Sequence, residues 1–343
     1  MLKTTRLGRN CALQVPRLCL GTMNFGEPGR GHQGDWTLGP DEARPIFQRA
    51  LEQGLFYFDC ADVYGRGASE RVVGALLREL APREEFVLAT KISGPMGKNP
   101  NQGGLSRKHV IEGVDGCLRR LGLDYIDHLV IHRHPNAALS QATAPIEETL
   151  EALHDVVKAG KVLYLGASSM FAWQFAELQL TAKLHGWTPF VSMQNHYNLV
   201  YREEEREMNP YCVSSGIGLT PWSPLARGLL TGAYGGAFDK GGTARSQGRD
   251  RLRTESLYRG DFVFDIAARV GELGAKYGLT PAQIALAWLL GKPGVAAPVI
   301  GVSRVEQLNQ LIDAVEIRLA EEDVAYLEEL YRPVENLLSI GSS

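Results

Sequence analysis

From about residue 15 the chain alternates short apolar runs with longer stretches whose apolar positions recur at helical spacing. The short runs are RLCLGT, FYFDCA, FVLATKI, IDHLVIH, VLYLGAS, FVSMQNHYNL, GLTPWSPL and AAPVIGVS. The amphipathic stretches are DEARPIFQRALEQG, SERVVGALLREL, SRKHVIEGVDGCLRRLG, IEETLEALHDVVKAG, FAWQFAELQLTAKLHG, the region around EEEREMNPYCVSSG, FVFDIAARVGELGAKYG and VEQLNQLIDAV. Apolar strands each followed by an amphipathic helix predict βα units and a parallel sheet. Eight strand candidates predict an α/β protein, a closed (β/α)8 TIM barrel forming one domain over residues 1–343. An open doubly wound sheet stays as the alternative, because a strand count does not establish closure.

Several helical stretches end in Gly, which tolerates the left-handed cap, and Ser69 and Ser106 stand where N-caps are expected. Thr280-Pro281-Ala282-Gln283 combines a capping residue, Pro at the first helical position and Gln at the third. It opens the apolar run IALAWLL and predicts an extra helix before the last strand. The tail LAEEDVAYLEELYRPVENLLSIGSS predicts a C-terminal helix and a loose end. The segment from Gly232 to Gly260, rich in Gly and Arg with little periodicity, predicts a long loop.

The 36 Lys+Arg against 39 Asp+Glu give a formal net charge of -3, which supplies no basic excess for a nucleic-acid partner. The five scattered cysteines form no C-x-x-C pair and fit a reducing compartment. The N-terminal stretch MLKTTRLGRNCALQVPRLCLGT mixes charged and apolar residues, so neither a signal peptide nor a membrane span is expected, and the location expected is cytoplasmic. Gly29-x-Gly31-x-x-Gly34 matches a dinucleotide fingerprint as a string, but DWTLGPDEA follows it where a helix should open, so it reads as a polar loop. His132-Arg133-His134 sits on a strand whose alternate residues face opposite ways, and no metal is expected there. Hydrolase elbows, H-E-x-x-H and the P-loop are absent.

In a closed barrel the active site lies at the C-terminal strand ends. Those ends carry Asp59, Lys91, His132 and the pair Gln194-Asn195, with Tyr64 on the loop after Asp59. A carboxylate, a lysine, a histidine and a tyrosine in one mouth make an acid-base set. A phenol titrates near ~10 when unperturbed, and an ammonium within reach stabilises its anion. Lys91 is expected to lower Tyr64 in this way, with Asp59 holding Lys91 charged and His132 positioning a carbonyl oxygen.

The strings GLFYFDCADVYGRGASERVVGALL, VLATKI, RRLGLDYIDHLVIHR, IEETLEALHDVVKAGKVLYLGASS, QNHYNLVYREEEREM, PWSPLARGLLTG and PVIGVSRVEQL resemble the aldo-keto reductase superfamily over nearly the whole chain. GEPGRG, GASSM and PWSPLARG resemble its bacterial and fungal aryl-alcohol dehydrogenase branch, and the potassium-channel β-subunits are more distant relatives. The resemblance implies an NADPH-dependent oxidoreductase that interconverts a small-molecule carbonyl and its alcohol, with Asp59, Tyr64, Lys91 and His132 as catalytic tetrad. It implies cofactor contacts from Gly21, Thr22, Met23 and Asp59; from Ser168, Ser169 and Gln194 at the nicotinamide carboxamide; and from Trp222 on the ring. Ser223, Pro224, Leu225, Ala226 and Gly228 would follow the pyrophosphate, and Gly301, Ser303, Arg304, Gln307 and Gln310 would hold the adenosine 2′-phosphate.

Ser169 replaces an Asn common in relatives, Leu311 replaces an amide residue, and His128 and Val130 occupy positions commonly Leu and Gln; His128 reads as a structural substitution below the site. Lys240, Arg245, Arg249, Arg251 and Arg253 belong either to a flap over the pyrophosphate or to a solvated loop. Two rival functions remain at this level: a barrel lyase using Lys91 as a Schiff-base amine, and a cofactor-sensing regulatory subunit. Oligomeric state is not legible.

Overall fold

The computed structural model describes residues 1–28, 36–137, 143–242 and 249–336. The Gly29 to Gly34 string, Arg245 and the side chain of Arg249 lie outside the described residues. The chain opens with an antiparallel pair, Thr4–Arg6 (β1) and Gln14–Pro16 (β2), which the periodicity does not predict. Two strands of three residues are too short to carry a period.

Eight parallel strands follow: Cys19–Gly21 (β3), Tyr57–Asp59 (β4), Val87–Ile92 (β5), Ile126–Ile131 (β6), Val162–Ser168 (β7), Phe190–Gln194 (β8), Gly218–Leu219 (β9) and Val299–Ile300 (β10). Their order is β10-β3-β4-β5-β6-β7-β8-β9, and each matches one predicted strand. The two ends of that row also meet. The Val299 N–H donates to the Pro221 carbonyl at 2.8 Å and the Ala296 N–H to that of Leu219 at 2.8 Å, with parallel bridges Leu219 to Val295 and Trp222 to Val299. These contacts close the cylinder and exclude the open sheet.

The period of two along each strand divides the core. Leu20, Phe58, Leu88, Leu129 and Leu165 point outward and pack under the helices, while Cys19, Tyr57, Val87, Ala89 and Val191 fill the cylinder. Phe58 stacks on Phe47 of helix Pro40–Glu52 (α1) at 5.2 Å; burying such a ring is worth about 1.5–3 kcal/mol. The β1–β2 hairpin plugs the bottom. At Gly218 a Cβ would lie 1.4 Å from the Leu7 carbonyl oxygen, so that position has to be glycine for the plug to seat.

Helices Ala68–Leu80 (α2), Arg107–Leu121 (α3), Ile146–Lys158 (α4), Ala172–His185 (α5) and Met208–Ser215 (α6) surround the barrel. Ser106 caps α3 by accepting the His109 N–H at 3.3 Å. Ser69 does not cap α2. It lies inside the helix after Gly67 and donates to the Thr22 carbonyl at 2.8 Å, tying α2 to the end of β3. Between β9 and β10 come Arg249–Leu257 (α7), Phe262–Tyr277 (α8) and Pro281–Leu290 (α9). The predicted extra helix is α9, and its Thr280 cap accepts the Gln283 N–H at 3.3 Å. The expected Gly232 to Gly260 loop is broken by α7, whose weak periodicity hid it. Val305–Asp313 (α10) and Glu321–Glu328 (α11) complete the fold, and α11 is the predicted C-terminal helix. No described helix is long and apolar enough to cross a membrane.

Candidate active site

The same alternation that puts Tyr57, Ala89 and His128 inside the cylinder brings Asp59, Lys91, His132, Ser168 and Gln194 inward at its C-terminal mouth. The register supports this: Gly21 pairs with Asp59, Lys91 with Val130, and Ser168 with Gln194. His132 extends β6 by one residue, its N–H donating to the Ile92 carbonyl at 2.9 Å. Tyr64 arrives from the following loop, where Gly65, Arg66 and Gly67 all have positive φ (56°, 51° and 83°). Two glycines meet most of the cost of that reversal. Asp62, buried in the loop, accepts the Val63 N–H at 2.7 Å and fixes its start.

Lys91 is fully buried. Its Nζ donates to Asp59 Oδ2 at 2.5 Å and to the Cys60 carbonyl at 2.7 Å, and lies 3.4 Å from Tyr64 Oη. The other Asp59 oxygen accepts from Gln194 Nε2 at 2.8 Å, a link absent from the sequence reading. His132 stands edge-on to Tyr64 with ring centres 6.1 Å apart. All four expected tetrad side chains therefore meet in one place.

Burial opposes the charge on Lys91, but Asp59 and Tyr64 outweigh it and hold the ammonium above its ordinary value. A Schiff-base nucleophile must be neutral, so this environment disfavours that chemistry. Burial raises the Tyr64 phenol, Lys91 pulls it down and Asp59 pushes it up; the net direction is upward. The expected lowering by Lys91 is present but smaller than desolvation. Burial, then Arg133, Lys91 and Arg253, hold the His132 imidazole well below its ordinary value, so it is neutral at pH 7. The set contains a neutral phenol, a neutral imidazole and an ion pair behind them: a proton donor and a hydrogen-bonding partner for an oxygen.

Around this centre the expected cofactor residues fall into three groups. At the end of β3, a Cβ on Gly21 would lie 2.8 Å from Val299 Cγ1, so barrel closure itself demands glycine there. Thr22 is buried and donates to the Asp59 carbonyl at 3.0 Å, with Met23 following it. Beside them, Ser168 donates to the Gln194 carbonyl at 2.8 Å and lies 3.3 Å from the Ser169 hydroxyl, which accepts the Trp222 indole N–H at 3.0 Å. Ser169 has φ 47°, a conformation that Asn adopts more readily than Ser. One face of Trp222 is stacked on His196 at 4.0 Å, and His196 is held in turn by Tyr258 Oη at 2.8 Å.

The second group is the loop Ser223, Pro224, Leu225, Ala226 and Gly228. Ser223, Ala226, Arg227 and Gly228 have φ of 53°, 49°, 56° and 97°. Non-glycine residues held there store strain, and the loop is tied internally, the Ala226 N–H donating to the Ser223 carbonyl at 2.9 Å and the Gly228 N–H to that of Leu225 at 3.0 Å. Arg227, which the sequence reading passed over, braces this loop through an ion pair with Asp250 and a 3.3 Å bond to Thr254. The third group is the rim after β10. Arg304 is the N-cap of α10; Gly301, Ser303, Arg304 and Gln310 are exposed, and the Ser303 N–H donates to Gln307 Oε1 at 2.8 Å. Leu311 faces the core instead.

His128 lies below the mouth, as expected, between Tyr57 Oη (2.9 Å) and Ser192 Oγ (2.8 Å). It occupies the space that a side chain on Gly166 would need, a Cβ there falling 2.3 Å from its Nε2.

The sequence model of the aldo/keto reductase family matches residues 17–332. A Schizosaccharomyces pombe protein provisionally named an aryl-alcohol dehydrogenase is 42% identical over 349 residues, covering 95% of each chain. Versiconal hemiacetal acetate reductase of Aspergillus parasiticus is 38% identical over 358 residues, covering 97% of this chain and 98% of its own. An aldo-keto reductase of Alternaria alternata is 40% identical over 351 residues, covering 95% and 91%.

Proposed function

Since the chain belongs to the aldo/keto reductase family, and is thereby an oxidoreductase, we propose that it reduces an aldehyde or ketone to the alcohol, reversibly, with NADPH as reductant. The observation that carries this reading is the buried contact of Lys91 with both Asp59 and Tyr64 beside a neutral His132.

The residues present fit a dinucleotide on this structure's own features. The strained 223–228 loop would run along a pyrophosphate, and the start of α10 with Arg304 offers a guanidinium and a helix N-terminus to a phosphate. Gly21, Thr22 and Met23 border the same mouth. Trp222, fixed by His196 and Ser169, presents a flat wall, and Ser168, Ser169 and Gln194 offer amide and hydroxyl groups to a carboxamide. Bound NADPH would supply the hydride that reaches the carbonyl carbon.

Tyr64 donates its proton to the carbonyl oxygen as that oxygen gains negative charge. Being neutral until the pH passes its raised pKa, it is loaded for this role at pH 7. His132 donates a hydrogen bond to the same oxygen and orients it. Lys91 stabilises the phenolate left behind, and Asp59 holds Lys91 charged and in place. In alcohol oxidation the phenolate takes the proton back. Acid-base help of this kind is worth roughly 100- to 10,000-fold.

The test is NADPH oxidation by the purified chain over aromatic aldehydes, dicarbonyls, cyclic ketones and sugar phosphates, with Tyr64→Phe alongside. Turnover by the wild type and its collapse in the variant support the reading. Tight NADPH binding with no turnover on any carbonyl would favour a cofactor-sensing subunit.

A further inference from the structure

Arg133 follows His132 directly, is half-buried, and uses Nη1 to donate to the His132 carbonyl at 2.6 Å. It pairs with no described carboxylate. Other sheltered guanidiniums do: Arg227 with Asp250, Arg202 with Glu205 and Glu328, Arg120 with Glu70, Arg83 with Asp127. Arg17, which lacks a carboxylate, satisfies its fork on the carbonyls of Val295 and Leu290. Arg133 is thus a sheltered cation beside the proton-transfer centre whose only hydrogen bond among the described residues is to its neighbour's backbone.

A second guanidinium joins it from α7. Asp250, Thr254 and Tyr258 recur every fourth residue and fasten one side of that segment to Arg227 and His196. Arg253 lies one turn after Asp250, flanking the fastened side; it is exposed and forms no ion pair with any described carboxylate. Tyr258, bonded at 2.8 Å to the His196 that backs Trp222, holds this segment at the barrel mouth, where the charge of Arg253 bears on both His132 and Arg133. Two like charges converging on one mouth repel, and an anion between them turns that cost into attraction.

We infer that Arg133 and Arg253 form an anion-binding subsite at the barrel mouth, taking the carboxylate or phosphate of a carbonyl substrate whose reacting oxygen lies at Tyr64 and His132. This rests on the reductase reading and names its substrate class: aldehydes or ketones with an anionic group at the end remote from the carbonyl. The planar guanidinium fork suits either group through paired charge-assisted hydrogen bonds. Arg133 belongs to the proton-transfer side, apart from the β10 rim that carries Arg304.

The test compares kcat/KM for 4-carboxybenzaldehyde with that for its neutral methyl ester, and for glyceraldehyde 3-phosphate with that for glyceraldehyde, in wild type, Arg133→Gln, Arg253→Gln and the double variant. The wild type should favour at least one anionic member by about ten- to hundredfold, mainly through KM, and the ratio should fall toward unity in the double variant. Preference within the benzaldehyde pair assigns a carboxylate, and within the glyceraldehyde pair a phosphate. Arg253→Lys should restore part of the ratio, which a merely structural role would not require. No anionic preference in the wild type, or one that survives both substitutions, overturns the subsite. A fall in NADPH affinity in Arg253→Gln with the ratio unchanged reassigns that guanidinium to the cofactor and also overturns it. Turnover of the neutral aldehydes without anionic preference sinks the subsite alone, whereas no turnover of any probe sinks the reductase reading beneath it.

Discussion

The ammonium of Lys91 lies 3.4 Å from the phenol oxygen of Tyr64 while bonded at 2.5 Å to Asp59. The carboxylate thus has first claim on the cation, and Tyr64 meets a charge that is already shared. Tyr64→Phe should lower kcat by about 100- to 10,000-fold while leaving NADPH affinity within a few-fold, because the lost group acts on the carbonyl oxygen. Stopped-flow turnover with fluorescence titration of NADPH measures both; a variant retaining more than a tenth of the wild-type kcat removes Tyr64 from the role.

Burial raises Tyr64 against the opposing pull of Lys91, and the direction of each contribution sets a pH prediction. Reduction, which needs the phenol, should be flat through neutral pH and fall only in alkali. Alcohol oxidation, which needs the phenolate, should rise with pH. Lys91→Met removes the lowering influence, so its residual oxidation should need still higher pH. A pH-rate profile for oxidation that moves toward acid in Lys91→Met contradicts this arrangement.

His128 is buried between two neutral hydroxyl groups, and burial followed by Lys91 hold its pKa at about 3. The unfolded chain binds a proton near ~6.5 that the folded chain refuses, so this group's contribution to stability falls as pH drops from about 6.5 toward the folded value. His196, depressed by burial and then Arg227 to about 3, has the same sign. Glu204, raised by burial to about 8, works the other way between its unfolded value and about 8. His128→Gln should therefore flatten the acid side of the Tm-against-pH curve. An unchanged slope between pH 6.5 and 4 would mean that His128 is not neutral in the fold.

Arg304 is exposed at the N-cap of α10. Arg304→Ala should weaken NADPH by about tenfold or more and NADH far less, since only the former has a 2′-phosphate to lose a charge-assisted bond. Equal losses in the two dissociation constants would place that phosphate elsewhere.

Arg227 holds α7 against the strained 223–228 loop through a pair that is almost entirely sheltered, 5% and 11% exposed. Removing one member of such a pair typically costs about 3–5 kcal/mol, and here the cost should appear as local opening. Arg227→Ala should speed amide exchange over residues 250–258 and hasten NADPH release, leaving exchange in β4 to β6 unchanged. Protection of α7 equal to wild type would show that its packing alone suffices.

Asp59, Lys91 and His132 were legible from the chain because a strand end is marked by its apolar run and a period of two then fixes which residues share its inner face. Their expected place at the mouth needed no long-range contact to be named. The hairpin that plugs the barrel was not legible, since its strands are too short to show a period and its seat is a glycine far along the chain at 218. Ser69 looked like a cap because its residue type suits one, and only the fold reveals the Thr22 carbonyl beside it.

The order of apolar runs therefore determined eight βα units and the polar side chains that crown them, since periodicity and strand polarity are local properties of the chain. Closure of the cylinder, the bond of Gln194 to Asp59 and the fastening of α7 by Arg227 were decided by tertiary structure. So was the upward direction of the Tyr64 phenol, because desolvation depends on every neighbour that folding brings around a group and no stretch of sequence carries that sum.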